Sequence, residues 1–221
     1  MSSVGSMMAL TSTVSGGGAG LPVQYTYHGN ASDLGGGPTY TFSTPSSVPS
    51  NCLLVVCCGH EDSGNINSLS GGGYTWTKVS SVTRNNDGVA MFAAQVTTPP
   101  SSVTLSCSQG GFRANAAFYS MINHTSVTPA SNTYSAGSSS ALAFSLPNVA
   151  GGDAILAYSM HENGGTISFT HGVTGDYSVA PSGNSTFAAG STYVSAGTTS
   201  QYIRSSFGST GDMIMLAAAW R

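Results

Sequence analysis

From Leu21 onward the chain is heavily punctuated: short stretches rich in Val, Ile, Tyr, Phe and Thr recur about every 10 to 15 residues, separated by clusters of Gly, Pro, Asn, Asp and Ser. No segment carries a convincing 3.6-residue apolar period, so a core must come from stacked sheets and not from packed helices. This punctuation predicts an all-β fold, an antiparallel β-sandwich of about 12 strands with jelly-roll-like winding. Candidate strands fall at 23–28, 39–43, 52–58, 75–82, 89–96, 102–107, 114–122, 141–146, 154–160, 166–170, 186–194, 200–204 and 212–220. Leu53 to Val56 and Met213 to Leu216 are apolar at successive positions, which places them in sheet centres covered on both faces. Tyr25 to Tyr27, Tyr40 to Phe42 and Ile167 to Phe169 alternate instead, as half-buried strands do.

Composition decides what such a sheet protein can meet. Hydrophobic residues make up 40% of the chain and charged residues only 6%, whereas disorder requires low hydrophobicity with high net charge. A chain of 221 residues fits one β domain. We expect a single β-sandwich domain over residues 21–221, preceded by a flexible Gly/Ser-rich arm over residues 1–20 that ends in Gly16 to Gly20. The five basic residues, Lys78, Arg84, Arg113, Arg204 and Arg221, are scattered and the formal net charge is −3, which argues against nucleic acid as a partner. There is no apolar run of the roughly 20 residues that cross a bilayer, and the first residues lack the charged start and apolar stretch of a secretory signal. The expectation is a protein made in a cytoplasm and not embedded in a membrane.

Chemistry-bearing residues are sparse. The eight acids fall mostly in turns, where a carboxylate serves local hydrogen bonding, and no Gly-x-Ser-x-Gly elbow occurs. No enzyme activity, no catalytic residue and no cofactor is expected. Imidazole and carboxylate could hold a divalent metal if His60, Glu61, His161, Glu162 and His171 converged, but their spacing does not demand it, and no metal is expected. Cys52 and Cys58 alternate onto one strand face and Cys57 onto the other; a disulfide from Cys107 to Cys57 or Cys58 is conceivable if their strands pack together. Tyr74 and Trp76, near loops, are the candidate platforms should the protein bind sugar. One internal echo stands out: an apolar strand ends in His60-Glu61 and a Gly/Asn loop, and again in His161-Glu162 and such a loop, a thin sign that the two halves are related.

Several stretches together carry a resemblance: the Gly-rich loop from Gly71 to Val79 with its aromatics, Ala90 to Pro100, Val103 to Cys107, Phe118 to Ile122, Leu146 to Leu156, and the terminal Met215 to Arg221. In pattern and order, over about residues 38–221, the chain resembles Gly/Ser/Thr-rich β-sandwich virion structural proteins of tailed phages and prophages of proteobacteria. That resemblance implies a protein of the capsid decoration, head-fibre or tail-associated type, displayed on the virion surface and partnered by the major capsid protein or other virion proteins, as a homo-oligomer. Met7, Met8 and Leu10 of the arm are then the expected lattice anchors. The alternative it implies is a tail-associated host-recognition or carbohydrate-binding module that meets a host-surface glycan.

Overall fold

The computed structural model describes residues 21–221. Among the described residues the fold is all-β, with 14 strands paired antiparallel and one 3-10 turn at Pro181–Gly183. The first eight strands are β1 (Gln24–Asp33), β2 (Thr39–Ser43), β3 (Cys52–Glu61), β4 (Ile66–Ser70), β5 (Thr77–Arg84), β6 (Asp87–Val96), β7 (Ser102–Cys107) and β8 (Arg113–Ile122). They form a five-stranded sheet in the order β1-β8-β3-β6-β5 and a three-stranded sheet β2-β7-β4. Pairing is nested, β1 with β8, β2 with β7 and β3 with β6, as when one long hairpin is rolled into two layers. Tyr40, Phe42, Val103 and Leu105 of the smaller sheet close on Leu54, Val56, Phe92 and Phe118 of the larger.

The remaining strands are β9 (Ser131–Pro147), β10 (Ala154–His161), β11 (Ser168–His171), β12 (Thr174–Val179), β13 (Thr186–Tyr193) and β14 (Ser200–Trp220). Here β9 and β14 are long enough to serve two layers. Their mutual register breaks between Ser206 and Gly211, and residues on the two sides of that break bury against each other: Leu142, Leu146 and Ile203 share a core with Met213, Met215 and Ala217. One layer therefore runs β9-β14-β10-β13-β12 and the other β9-β14-β11. This is the first half's arrangement strand for strand, with each long strand doing the work of two. Even the bulge in the edge strand recurs, between Lys78 and Ser80 in β5 and between Gly175 and Tyr177 in β12. The His-Glu echo marks equivalent ends, those of β3 and β10.

Both five-stranded sheets turn their second face toward a shared core. Leu53, Val55 and Cys57 of β3 meet Ala154, Leu156 and Tyr158 of β10 there, all fully buried. On one side β1 lies over β12, with Tyr27 stacked on Tyr177 at 5.7 Å; on the other, Arg84 at the end of β5 reaches Asp212 of β14. Equivalent strands face each other with the same direction and opposite lateral order, which is a pseudo-twofold axis parallel to the strands.

Sequence reading finds the apolar strands and misses β4, β12 and the 131–139 part of β9. All three lie at sheet edges. An edge strand needs pairing on one side only, and Ile66–Ser70, Thr174–Val179 and residues 131–139 are mostly Ser, Thr, Gly and Asn, with little of the β-branched signal that marks a buried strand.

The sandwiches approach closely at Gly59, where a Cβ would lie 3.1 Å from ring carbons of both Phe187 and Tyr158. Gly59→Val wedges the two halves apart and lowers the unfolding free energy by about 1–3 kcal/mol, read from urea denaturation at constant m-value.

Candidate functional site

The two His-Glu strand ends are turn-building devices. His60 and His161 are fully buried, and their Nδ1 atoms accept the backbone N–H of Ser63 at 3.3 Å and of Asn163 at 3.0 Å, closing the turn after each strand. Accepting at Nδ1 puts the proton of the neutral ring on Nε2, which has no hydrogen-bond partner in either case. His60 Nε2 fills the space beside Gly88, where a Cβ would come within 2.5 Å; the His161 ring stacks on Phe207 at 3.8 Å. Glu61 pairs with Arg113, the Glu162 N–H donates to the carbonyl of Asp212, and His171 is exposed on β11 beside Tyr202. Among the described residues, no three His, Cys, Asp or Glu side chains come together as a metal set, so these five are not gathered into one.

Titration at the first of these ends is shifted in two directions. Burial pushes the His60 imidazole down to about 4. Asp87, which accepts the Asp62 N–H at 3.0 Å, is pushed up to about 7 by burial, against the pull of that hydrogen bond and with help from the nearby Asp62, Glu61 and Glu162 carboxylates.

Most of the few charges are used up internally. Arg84 binds Asp212 at 2.9 Å, Arg113 binds Glu61, and Arg221 binds Asp153 at 3.0 Å. The Lys78 ammonium donates to the carbonyl of Ile66 at 2.8 Å. Of the five basic residues only Arg204, exposed on β14, lacks such a partner among the described residues.

Where β1 overlies β12, a polar cluster ties the sandwiches together. Tyr119 and Ser191 each donate to Asp176 at 2.7 Å, and Tyr177 and Tyr158 donate to the Asn115 side-chain oxygen at 2.6 and 3.1 Å. Asn115 Nδ2 donates in turn to the Ala31 carbonyl and to Ser32 Oγ, both at 3.0 Å. Burial raises the Tyr119, Tyr158 and Tyr177 phenols well above their ordinary range, which keeps them protonated as donors. Sequence reading did not find this cluster, because its members come from both halves and nothing local marks them.

Other expected residues take different places. The considered disulfide is not formed: all four cysteines are buried free thiols. Cys57 projects into the core between the sandwiches, and Cys58, although it shares the first sandwich's core with Cys107, donates to the Ala90 carbonyl. Burial pushes the thiols up, Cys52 to about 11 and Cys107 to about 12, so they stay protonated and unreactive near neutrality. Tyr74 and Trp76 pack on the first core with their polar atoms engaged, the Tyr74 hydroxyl donating to the Thr98 carbonyl at 2.7 Å and the Trp76 indole to the Gly71 carbonyl. Both hold the loop in place and remain partly exposed. Met7, Met8 and Leu10 lie outside the described residues.

A cleft of about 310 Å³ opens at the edge of the second sandwich, between β11 and β12, lined by Ile167, Ser168, Phe169, Gly175, Tyr177 and Ser178. Its lining is neutral. Comparison with family models, with curated proteins and with solved structures finds no match for the chain.

Two outcomes follow from this geometry. Between pH 6.5 and 4 the unfolded chain binds a proton at His60 that the folded chain refuses, so stability falls by up to about 3 kcal/mol as pH drops through that window. Asp87 works the other way: stability is fullest below 3.8 and is lost as pH rises toward 7, so Asp87→Asn raises the urea midpoint at pH 8 and leaves it unchanged at pH 3.5. His60→Gln flattens the fall between 6.5 and 4; urea midpoints measured across pH read both effects. Separately, Tyr119→Phe strips Asp176 of a donor and costs about 1–3 kcal/mol, while Tyr134→Phe, exposed on β9, changes nothing measurable.

Proposed function

We propose that the protein is a non-enzymatic structural protein of a tailed-phage particle, a capsid decoration protein whose sandwiches are jelly rolls, held to the major capsid protein at the virion surface. The observation that carries this reading is where the charge goes. Three of the five basic residues are paired with carboxylates of the same chain, and the outer face of the three-stranded sheet β2-β7-β4 consists of Thr39, Thr41, Ser43, Ser102, Thr104, Ser106, Ser68 and Ser70. An uncharged, hydroxylated face costs less to cover than a charged one once its hydroxyls find hydrogen-bond partners, and permanent interfaces are depleted in charge at their centres. The nested strand pairing of each half supports jelly-roll winding, and the resemblance of the sequence to phage sandwich proteins supports the setting.

Immunogold labelling of purified particles tests the location. Gold over the heads is the expected result; gold confined to tail tips replaces this reading with host recognition. Particles stripped of the protein are expected to release their genome at a lower temperature than decorated ones if it cements the lattice, as a dye-release thermal ramp would record.

A further inference from the structure

The pseudo-symmetry allows each side chain of one sandwich to be compared with its counterpart in the other. Registers through β6 and β13 align Thr77 with Thr174, and therefore Trp76 with Val173 and Lys78 with Gly175, immediately before the shared bulge. Across the layer, Ile66 and Ile167 are both buried and each stands six residues after the histidine at the end of β3 or β10. In the first sandwich this edge is plugged. The Trp76 indole packs on the core, and the Lys78 stem crosses to place its ammonium on the Ile66 carbonyl.

In the second sandwich the plug is missing. Val173 is smaller than an indole, Gly175 has no side chain, and the position of Phe92 is taken by Gly190. The Phe169 ring makes good the last of these, since a Cβ on Gly190 would meet it at 2.9 Å. At Gly175 itself only the Phe169 ring comes near, 3.8 Å from where a Cβ would stand, and the cleft opens beside it, lined by Gly175 and Ile167. We propose that this cleft is a binding slot for a primary amine carried on an aromatic or aliphatic stem, either the side chains of a Trp-x-Lys-like peptide segment or a free arylalkylamine. The stem lies against Ile167 and Phe169, as the Trp76 indole lies on the first core, and the ammonium reaches the Ile167 carbonyl in the way Lys78 reaches that of Ile66. A cation suits the chain, whose formal net charge is −3 and whose lining here has no fixed positive charge to oppose it.

The same comparison supplies the test. Gly175 can carry a side chain: its φ is not in the left-handed region and an added Cβ would touch only Phe169, at 3.8 Å. The full chain is titrated with acetyl-Trp-Thr-Lys-amide, with tryptamine, and with acetyl-Trp-Thr-Gln-amide, following the backbone amide resonances of residues 167–178. Saturable shifts with the lysine peptide, at least tenfold weaker with the glutamine peptide, are expected; tryptamine binding as tightly as the peptide identifies a free amine as the source, and weaker tryptamine binding identifies a protein segment. Gly175→Lys plugs the cleft from within, so it abolishes binding and raises the urea midpoint. The reverse exchange, Trp76→Val with Lys78→Gly, opens the first sandwich and adds a second site with shifts at residues 66–70. Absence of saturation up to about 10 mM, or undiminished binding to folded Gly175→Lys, overturns the proposal; the Gly175→Lys result stands even if the double variant does not fold.

Discussion

Neither five-stranded sheet can stand with the face it turns toward its twin in water. That face carries Leu53, Val55, Met91, Tyr119 and Met121 on one side and Leu156, Tyr158, Met160, Phe187, Leu216 and Trp220 on the other, all fully buried or nearly so. Each residue of that size contributes about 1.5–3 kcal/mol on leaving water, so separation of the halves would forfeit more than the few kcal/mol of net stability typical of a domain. Every other feature follows from this contact. The central strands of the inner sheets, such as β3, β6, β8 and β10, are covered on both faces and lose the apolar/polar alternation; the outer three-stranded sheets and the edge strand β1 keep it. The polar devices, Asp176 with its donors and Arg84 with Asp212, sit at the lateral rims of the joint, where partly buried charge still finds hydrogen bonds.

How much of this was legible in the sequence depends on which residues carry each feature. The doubly covered strands announced themselves, since Leu53 to Val56 and Met213 to Leu216 have no polar face to offer. Alternation also sorted the cysteines correctly between two cores. The edge strands did not announce themselves, because backbone pairing makes them and Ser, Gly and Asn can do it as well as Val. Residues 204–212 show the same limit from another side: an expected break between two strands is a bend within one long strand, and local composition cannot tell a turn from a bulge.

The candidate sites were legible only in part, for a related reason. His60-Glu61 and His161-Glu162 were visible as a repeat, but their meaning lies in the Nδ1 contact to a backbone N–H two or three residues on, which a dipeptide does not reveal. Asn115 and Asp176 looked like ordinary strand and turn residues. Their weight comes from tyrosines contributed by distant segments, Tyr119, Tyr158 and Tyr177. The cleft is subtler still, for it opens where Gly175 stands in the place of Lys78, and that difference exists only once the two halves have been laid over each other.

Covalent continuity between the sandwiches has a consequence of its own. Two separate copies meeting across a true twofold must make every rim contact twice, so a substitution that helps one side is imposed on the other, and the pair falls apart on dilution. A single chain escapes both conditions. Its internal partner is always present, and its two rims are free to diverge: a tyrosine-carboxylate cluster fastens one, an arginine-aspartate pair the other. The molecule keeps the architecture of a dimer while having two distinguishable sides, and so can be oriented by whatever surface it meets.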